Sequence, residues 1–240
     1  MSLPYFFVEK LAPEAQSLTL NEEQSKHIIQ VLRMQKEEEI LLTDGKGTKG
    51  HSVITHDHRK RCEVKIGSIE KQEAFAPKVS IAISLIKNAS RFEWFLEKAT
   101  EIGVNEIIPI ICTRTENEKF RGERLQNVLI SAMLQSQQCW LPVLHEPIEF
   151  KKLVEENKND QKFIAHCLQQ KQQLAFFTRD SPLTIHDSSV ILIGPEGDFT
   201  ENEIQLALNK NFQAVALGNT RLRTETAGIV ASTLLRHQTK

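Results

Sequence analysis

The sequence predicts an α/β protein in which a largely parallel sheet follows a small β-rich domain. Three observations carry that reading. Before residue 73, short alternating apolar runs are separated by turn residues and interrupted by one helical pattern. From Lys78 onward, buried-strand runs alternate with helical periodicity, the signature of parallel strands joined by helices. Near the C-terminus, two glycine-bearing loops each follow an apolar run, and each opens into a helix.

In chain order, residues 6–9, 40–43, 51–55 and 61–69 read as strands, with Asp44-Gly45-Lys46-Gly47 as a hairpin turn. Residues 21–33 read as a helix. Asn21 caps it, Glu22 and Glu23 suit its positive end, and His27, Ile28, Val31 and Leu32 recur at helical spacing. The stretch Gln72-Glu73-Ala74-Phe75-Ala76-Pro77 is the natural joint, so the domains are expected at 1–72 and 73–240. Residues 79–86 are strand-like. Residues 91–102 form a helix that buries Phe92, Phe95, Leu96, Ala99 and Ile102 and stops at Gly103. A strand at 107–111, a long helix at 118–137 and strands at 162–165, 190–193 and 214–217 complete a sheet of at least five. Thr200 and Glu203 form a capping box, and Phe199 with Ile204 occupies the hydrophobic-staple positions.

Composition bounds the function. Apolar residues are 40% and charged residues 25%, an ordinary globular balance. No apolar run approaches the roughly 20 residues of a membrane span, and the N-terminus lacks a signal-peptide layout. A cytoplasmic location without membrane partners is expected. Cys62, Cys112, Cys139 and Cys167 lie far apart with no CxxC pair, which suits free thiols in a reducing compartment. The net charge is −1, and basic and acidic residues balance 11 to 11 through Gln72, 8 to 8 through Leu125 and 11 to 12 thereafter. Any RNA surface must therefore be a local patch. His56-Asp57-His58 has no third and fourth ligand at useful spacing, so no metal is expected. There is no P-loop, GxSxG, HExxH or early GxGxxG.

The chemistry concentrates in Gly194-Pro195-Glu196-Gly197 and Leu217-Gly218-Asn219-Thr220-Arg221-Leu222-Arg223-Thr224-Glu225-Thr226. Each alone has a structural reading. Glycine loops after strands are common, and Thr224 can simply cap the last helix with Glu225 in its first turn. Their conjunction, one helix apart at strand ends, points to a site for a small polar ligand.

These loops resemble those of the RsmE-type 16S rRNA uracil-N3 methyltransferases of the SPOUT superfamily. Further similarities run along the chain in order: Phe6-Phe7-Val8, the stretch from His27 to Met34, Asp44-Gly45-Lys46-Gly47, Glu93-Trp94 with Glu97-Lys98-Ala99-Thr100-Glu101-Ile102-Gly103, and Gln135-Ser136. The resemblance implies a PUA-like RNA-binding β-barrel followed by a methyltransferase domain with a C-terminal trefoil knot. It also implies a homodimer acting on 16S rRNA of the small ribosomal subunit. The knot loops, namely the turn after His166, loop 194–197 and segment 217–227, would hold S-adenosylmethionine. Expected cofactor residues are His166, Ile193, Gly194, Glu196, Gly197, Leu217, Gly218, Leu222, Thr224 and Ala227. Arg223 is the expected catalyst, stabilising charge that develops on the uracil carbonyls. Glu225 would orient Arg223 or the cofactor, or act as base; Glu196 reads as a loop-fixing acceptor rather than a catalyst. Arg33 in the N-terminal helix, Arg124 in the long helix and Arg221 are the expected RNA contacts, with solvated-face roles equally open to Arg33 and Arg124.

The chain departs from the family pattern at Asp198, Asn219-Thr220 and Gln137-Gln138. Two competing readings are a related enzyme acting on another base or a ribose, and a non-catalytic RNA-binding assembly factor.

Overall fold

Turn chemistry sets the first sheet. The computed structural model describes residues 3–11, 17–167, 172–173 (backbone) and 187–236. It divides into two compact units, Met1–Ala74 with Met133–Leu141, and Phe75–Ala132 with Pro142–Lys240. The expected division at 72/73 did not assign 133–141 to the first unit.

In the first unit, β1 (Tyr5–Phe7), β2 (Ser17–Thr19), β3 (Glu39–Thr43), β4 (Thr48–His56) and β5 (Glu63–Lys71) form one sheet in the order β1-β3-β4-β5-β2. β1 runs parallel to β3, and the other pairings are antiparallel. Asp44 closes the β3–β4 turn by accepting the N–H groups of Lys46 (2.8 Å) and Thr48 (3.2 Å). Phe6, Leu20, Ile28, Ile40, Leu42, Ile54 and Val64 make the core.

The expected helix over 21–33 is shorter and irregular. α1 (Glu22–Lys26) starts at the Asn21 cap, whose Oδ1 accepts the Gln24 N–H at 2.8 Å. A π-helical turn, His27–Val31, follows, closed by the Leu32 N–H on the His27 carbonyl (2.9 Å). The wider turn breaks the 3.6-residue period. Ile28 stays buried, whereas Val31 and Leu32 are 66% and 41% exposed. Arg33 therefore lies beyond the helix, exposed, with φ 56°.

The second unit is an eight-stranded sheet. Its strands are β6 (Lys78–Ser84), β7 (Glu106–Ile111), β8 (Val143–Leu144), β9 (Ile148–Glu149), β10 (Gln161–Ala165), β11 (Gln172–Gln173), β12 (Ser188–Ile193) and β13 (Gln213–Ala216). All pairings are parallel, in the order β11-β13-β10-β12-β6-β7-β8 with β9 also on β7. Central strands β6 and β12 are almost wholly buried, as strands covered on both faces must be. α2 (Ala89–Ile102) ends at Gly103, whose φ of 89° permits the left-handed cap. α3 (Gly122–Gln135) is shorter than the expected 118–137, and α4 (Phe150–Glu156) was not foreseen. α5 (Glu201–Asn209) carries both halves of the capping box. α6 (Thr224–Arg236) packs on α2 and β6 at Gly228, where a Cβ would lie 2.6 Å from the Phe95 ring.

Candidate active site

β10 lies between β12 and β13, with Ala165 in register with Ile193 and Val215. The three strands consequently end side by side, and the loops that leave them enclose a cavity of about 320 Å³. Open parallel sheets gather ligands at this edge.

Of the expected residues, the cavity is lined by His166, Ile193, Gly194, Glu196, Leu217, Gly218, Arg221, Leu222, Arg223, Thr224 and Ala227. Cys167, Pro195 and Thr220, which lie in the loops expected to hold the cofactor, also line it, and Ala165, Asp198, Val215 and Ala216 line it without having been foreseen. The strand-end residues among them follow from β13 and β10 sharing a register, which no local pattern announces. The turn after His166 is described only to Cys167; its continuation, 168–171, lies outside the described residues.

Cross-links fix the loops to one another. The Thr224 hydroxyl donates to the Gly194 carbonyl at 3.0 Å, pinning the start of α6 to the β12 loop. Gly194 is packed against Phe199, whose ring a Cβ would approach to 3.1 Å. Asp198, with φ 63°, accepts the Cys167 N–H (2.7 Å) and the Phe199 N–H (2.8 Å). Asp tolerates that backbone region better than most residues, and its carboxylate ties the β10 loop to the β12 loop. Arg221 donates to the Glu196 carbonyl at 3.2 Å, and the Glu196 carboxylate accepts the Lys87 N–H at 3.3 Å. Glu203 anchors the far end of the β12 loop. Its carboxylate accepts from both the N–H and hydroxyl groups of Thr200 and Thr113. Burial pushes the Glu203 carboxyl up, but these hydrogen bonds outweigh it and hold the group below its ordinary range.

Four expected residues lie elsewhere. Gly197 turns towards Arg114, which donates to its carbonyl at 2.6 Å, so it shapes the loop without lining the cavity. Glu225 is buried and points to α2, with Oε1 3.7 Å from Arg91 Nε. The helix explains this: successive residues are about 100° apart, so Thr224 and Ala227 share the cavity side and Glu225 does not. Arg124 makes a two-pronged pair with Glu93 (2.7 and 3.0 Å) on the exposed face of α3. Arg33 belongs to the first unit.

Arg223 is the cavity's uncommitted cation. Among the described residues, its guanidinium has neither an ion-pair nor a hydrogen-bond partner. No three or more His, Cys, Asp or Glu side chains are grouped to hold a metal ion among the described residues. None of the helices in the described residues is long and apolar enough to cross a membrane.

Comparison with known proteins agrees with this architecture. Residues 71–236 match the RNA methyltransferase domain, and residues 20–67 match the RNA methyltransferase PUA domain. The ribosomal RNA small subunit methyltransferase E of Synechocystis sp. is 31% identical over 219 residues, covering 90% of this chain and 71% of the relative. A probable rRNA-methyltransferase from Porphyromonas gingivalis superposes with a TM-score of 0.88 at 35% identity, covering 97% of each chain. A ribosomal RNA small subunit methyltransferase E from Neisseria gonorrhoeae, solved with S-adenosyl methionine, superposes with a TM-score of 0.87 at 28% identity, covering 98% of this chain and 97% of that one. By its two matched domains and its full-length relatives, the chain belongs to the ribosomal RNA small subunit methyltransferase E family of RNA methyltransferases.

Proposed function

We propose that this protein methylates N3 of a uridine in 16S rRNA of the small ribosomal subunit, using S-adenosylmethionine. We further propose that it works in the cytoplasm as a homodimer, with residues 1–72 as the RNA-gripping PUA-like barrel and 73–240 as the catalytic domain. The loops after β10, β12 and β13 are assigned to a trefoil knot. The observation that carries the reading is the cavity at the ends of those strands, lined by an Arg223 whose guanidinium is unpaired among the described residues.

The residues fit the cofactor. Ile193, Leu217 and Leu222 offer apolar walls for an adenine. The main chain at Gly218 is open, with nothing within 4 Å of where a Cβ would stand, and admits close approach. The carboxylates of Glu196 and Asp198 suit a cationic ligand. When bound, S-adenosylmethionine supplies an electrophilic methyl group on a sulfonium. The protein's part is alignment and exclusion of water. As uracil N3 loses its proton, negative charge spreads to the flanking carbonyl oxygens. Arg223 meets that charge; with no ion-pair partner among the described residues, its guanidinium is available to the ligand. Glu196 holds the β12 loop through the Lys87 N–H, and Arg221 holds it from the other side while offering a cation to RNA at the cavity mouth.

The test is labelled methyl transfer to small subunits from a strain lacking this protein, followed by mapping of the modified base. Label at uracil N3 is expected. Label at a carbon or a ribose oxygen would overturn the assignment, and a full-length protein that failed to bind S-adenosylmethionine in a calorimetric titration would favour the assembly-factor reading.

A further inference from the structure

A second cleft, of about 180 Å³, lies in the second unit between the start of α2 and the segment leading into α3. Leu85, Ile86, Phe92 and Leu125 form its apolar floor. Lys119, Arg121 and Arg124 stand on its rim against one lining carboxylate, Glu93. Arg124 is held by Glu93, whereas the Lys119 and Arg121 side chains have no ion-pair partner among the described residues. It is a local positive patch of the kind a nearly neutral chain needs to hold RNA.

Shared lining residues relate the cleft to the proposed methylation site. Ala89 and Ser90, which line it, also line an open depression containing Lys87, Arg91 and Glu196. Glu196 in turn lines the large cavity. A strand whose target base enters that cavity can therefore lay its next nucleotides across the start of α2 and into the cleft. An apolar slot with cations at its lip matches one unstacked base and the phosphates beside it.

Resting on the methyltransferase reading above, we propose that this cleft takes one unpaired nucleotide of the substrate RNA close to the methylated one. Its base would sit on the Phe92–Leu125 floor and its phosphates on Lys119 and Arg121. The net positive rim favours a polyanion over a second copy of this near-neutral chain.

Two variants test it: Lys119→Ala with Arg121→Ala, which removes charge, and Ser90→Trp, which fills the cleft and keeps the charge. Binding of a short single-stranded RNA is measured across a salt series, alongside KM for small subunits. The double variant should bind RNA several-fold more weakly, and its slope of log affinity against log salt should be shallower by about 1.4, the value for two single-strand phosphate contacts. Ser90→Trp should raise KM for subunits several-fold and keep the wild-type salt slope. S-adenosylmethionine affinity should be unchanged in both. A double variant with wild-type affinity and slope would overturn the proposal. So would a change of oligomeric state in sedimentation, which would assign the face to a second copy of the chain. Failure of the wild-type protein to methylate subunits would instead strike the methyltransferase reading, because the RNA-binding comparison does not depend on turnover.

Discussion

Two neighbouring residues of the last loop have opposite fates. Arg223 lines the cavity without an ion-pair or hydrogen-bond partner for its guanidinium among the described residues, and Glu225, two positions on, is buried against Arg91 at 3.7 Å. Arg223→Ala should lower kcat by about 10²- to 10³-fold, the usual loss of one preorganised oxyanion donor, while S-adenosylmethionine still binds in calorimetry. Near wild-type turnover would remove Arg223 from catalysis. Glu225→Gln should behave differently. It weakens an ion pair and a favourable charge at the N-terminus of α6, so a stability loss of about 0.3–1 kcal/mol is expected in denaturant titration. Turnover should fall far less than in Arg223→Ala. A hundredfold loss of kcat at unchanged stability would return Glu225 to the chemistry. The sequence showed both residues and not their directions. Thr224, Glu225 and Ala227 are one short string, and only the phase of the helix decides which of them meet the ligand.

The elements that could be read in the sequence are those with chemistry at their ends. Thr200 and Glu203 announced the start of α5, Gly103 the end of α2, and Asp44 the β3–β4 turn, and each makes the bonds that its residue type suggests. Two-residue strands such as β8 and β9 exist only through their pairing with β7, so no local pattern marks them. The π-helical turn after α1 was hidden because helical periodicity assumes an unbroken 3.6-residue repeat. The Glu203 box also has a pH consequence. Its folded carboxyl titrates below the ordinary 4.5, since four hydrogen bonds outweigh the cost of burial. A depressed carboxyl contributes stability that is present above the unfolded value and lost as pH falls through the folded one. Wild type should therefore exceed Glu203→Gln in Tm by a constant margin from neutral pH down to about 4.5, and the margin should shrink on further acidification. A margin that is flat to lower pH would show that the ionised form is not what holds the loop.

At the scale of the whole molecule, the parallel sheet and the preceding β-rich unit followed from periodicity, because alternation and helical spacing are local. The meeting of three loops did not. It depends on β13 pairing with β10 across the intervening β11, β12 and α5, and only the resemblance of the glycine loops to a known family pointed there. That non-local assembly has a measurable consequence. A ligand that binds only the folded site stabilises by mass action, about 2.7 kcal/mol at a hundredfold excess over Kd. Among the described residues, hydrogen bonds join the loops at the site: Thr224 to Gly194, Asp198 to Cys167 and Arg221 to Glu196. Loops with exposed residues open locally at lower cost than the buried strands beneath them. Saturating S-adenosylmethionine should therefore slow amide hydrogen exchange most strongly in 194–200 and 217–224. β6 and β12, already buried, should change little, and so should β3–β5 of the first unit. Protection spread evenly over both units would mean that the ligand acts on global stability alone. Protection confined to the first unit would place the cofactor somewhere other than the ends of β10, β12 and β13.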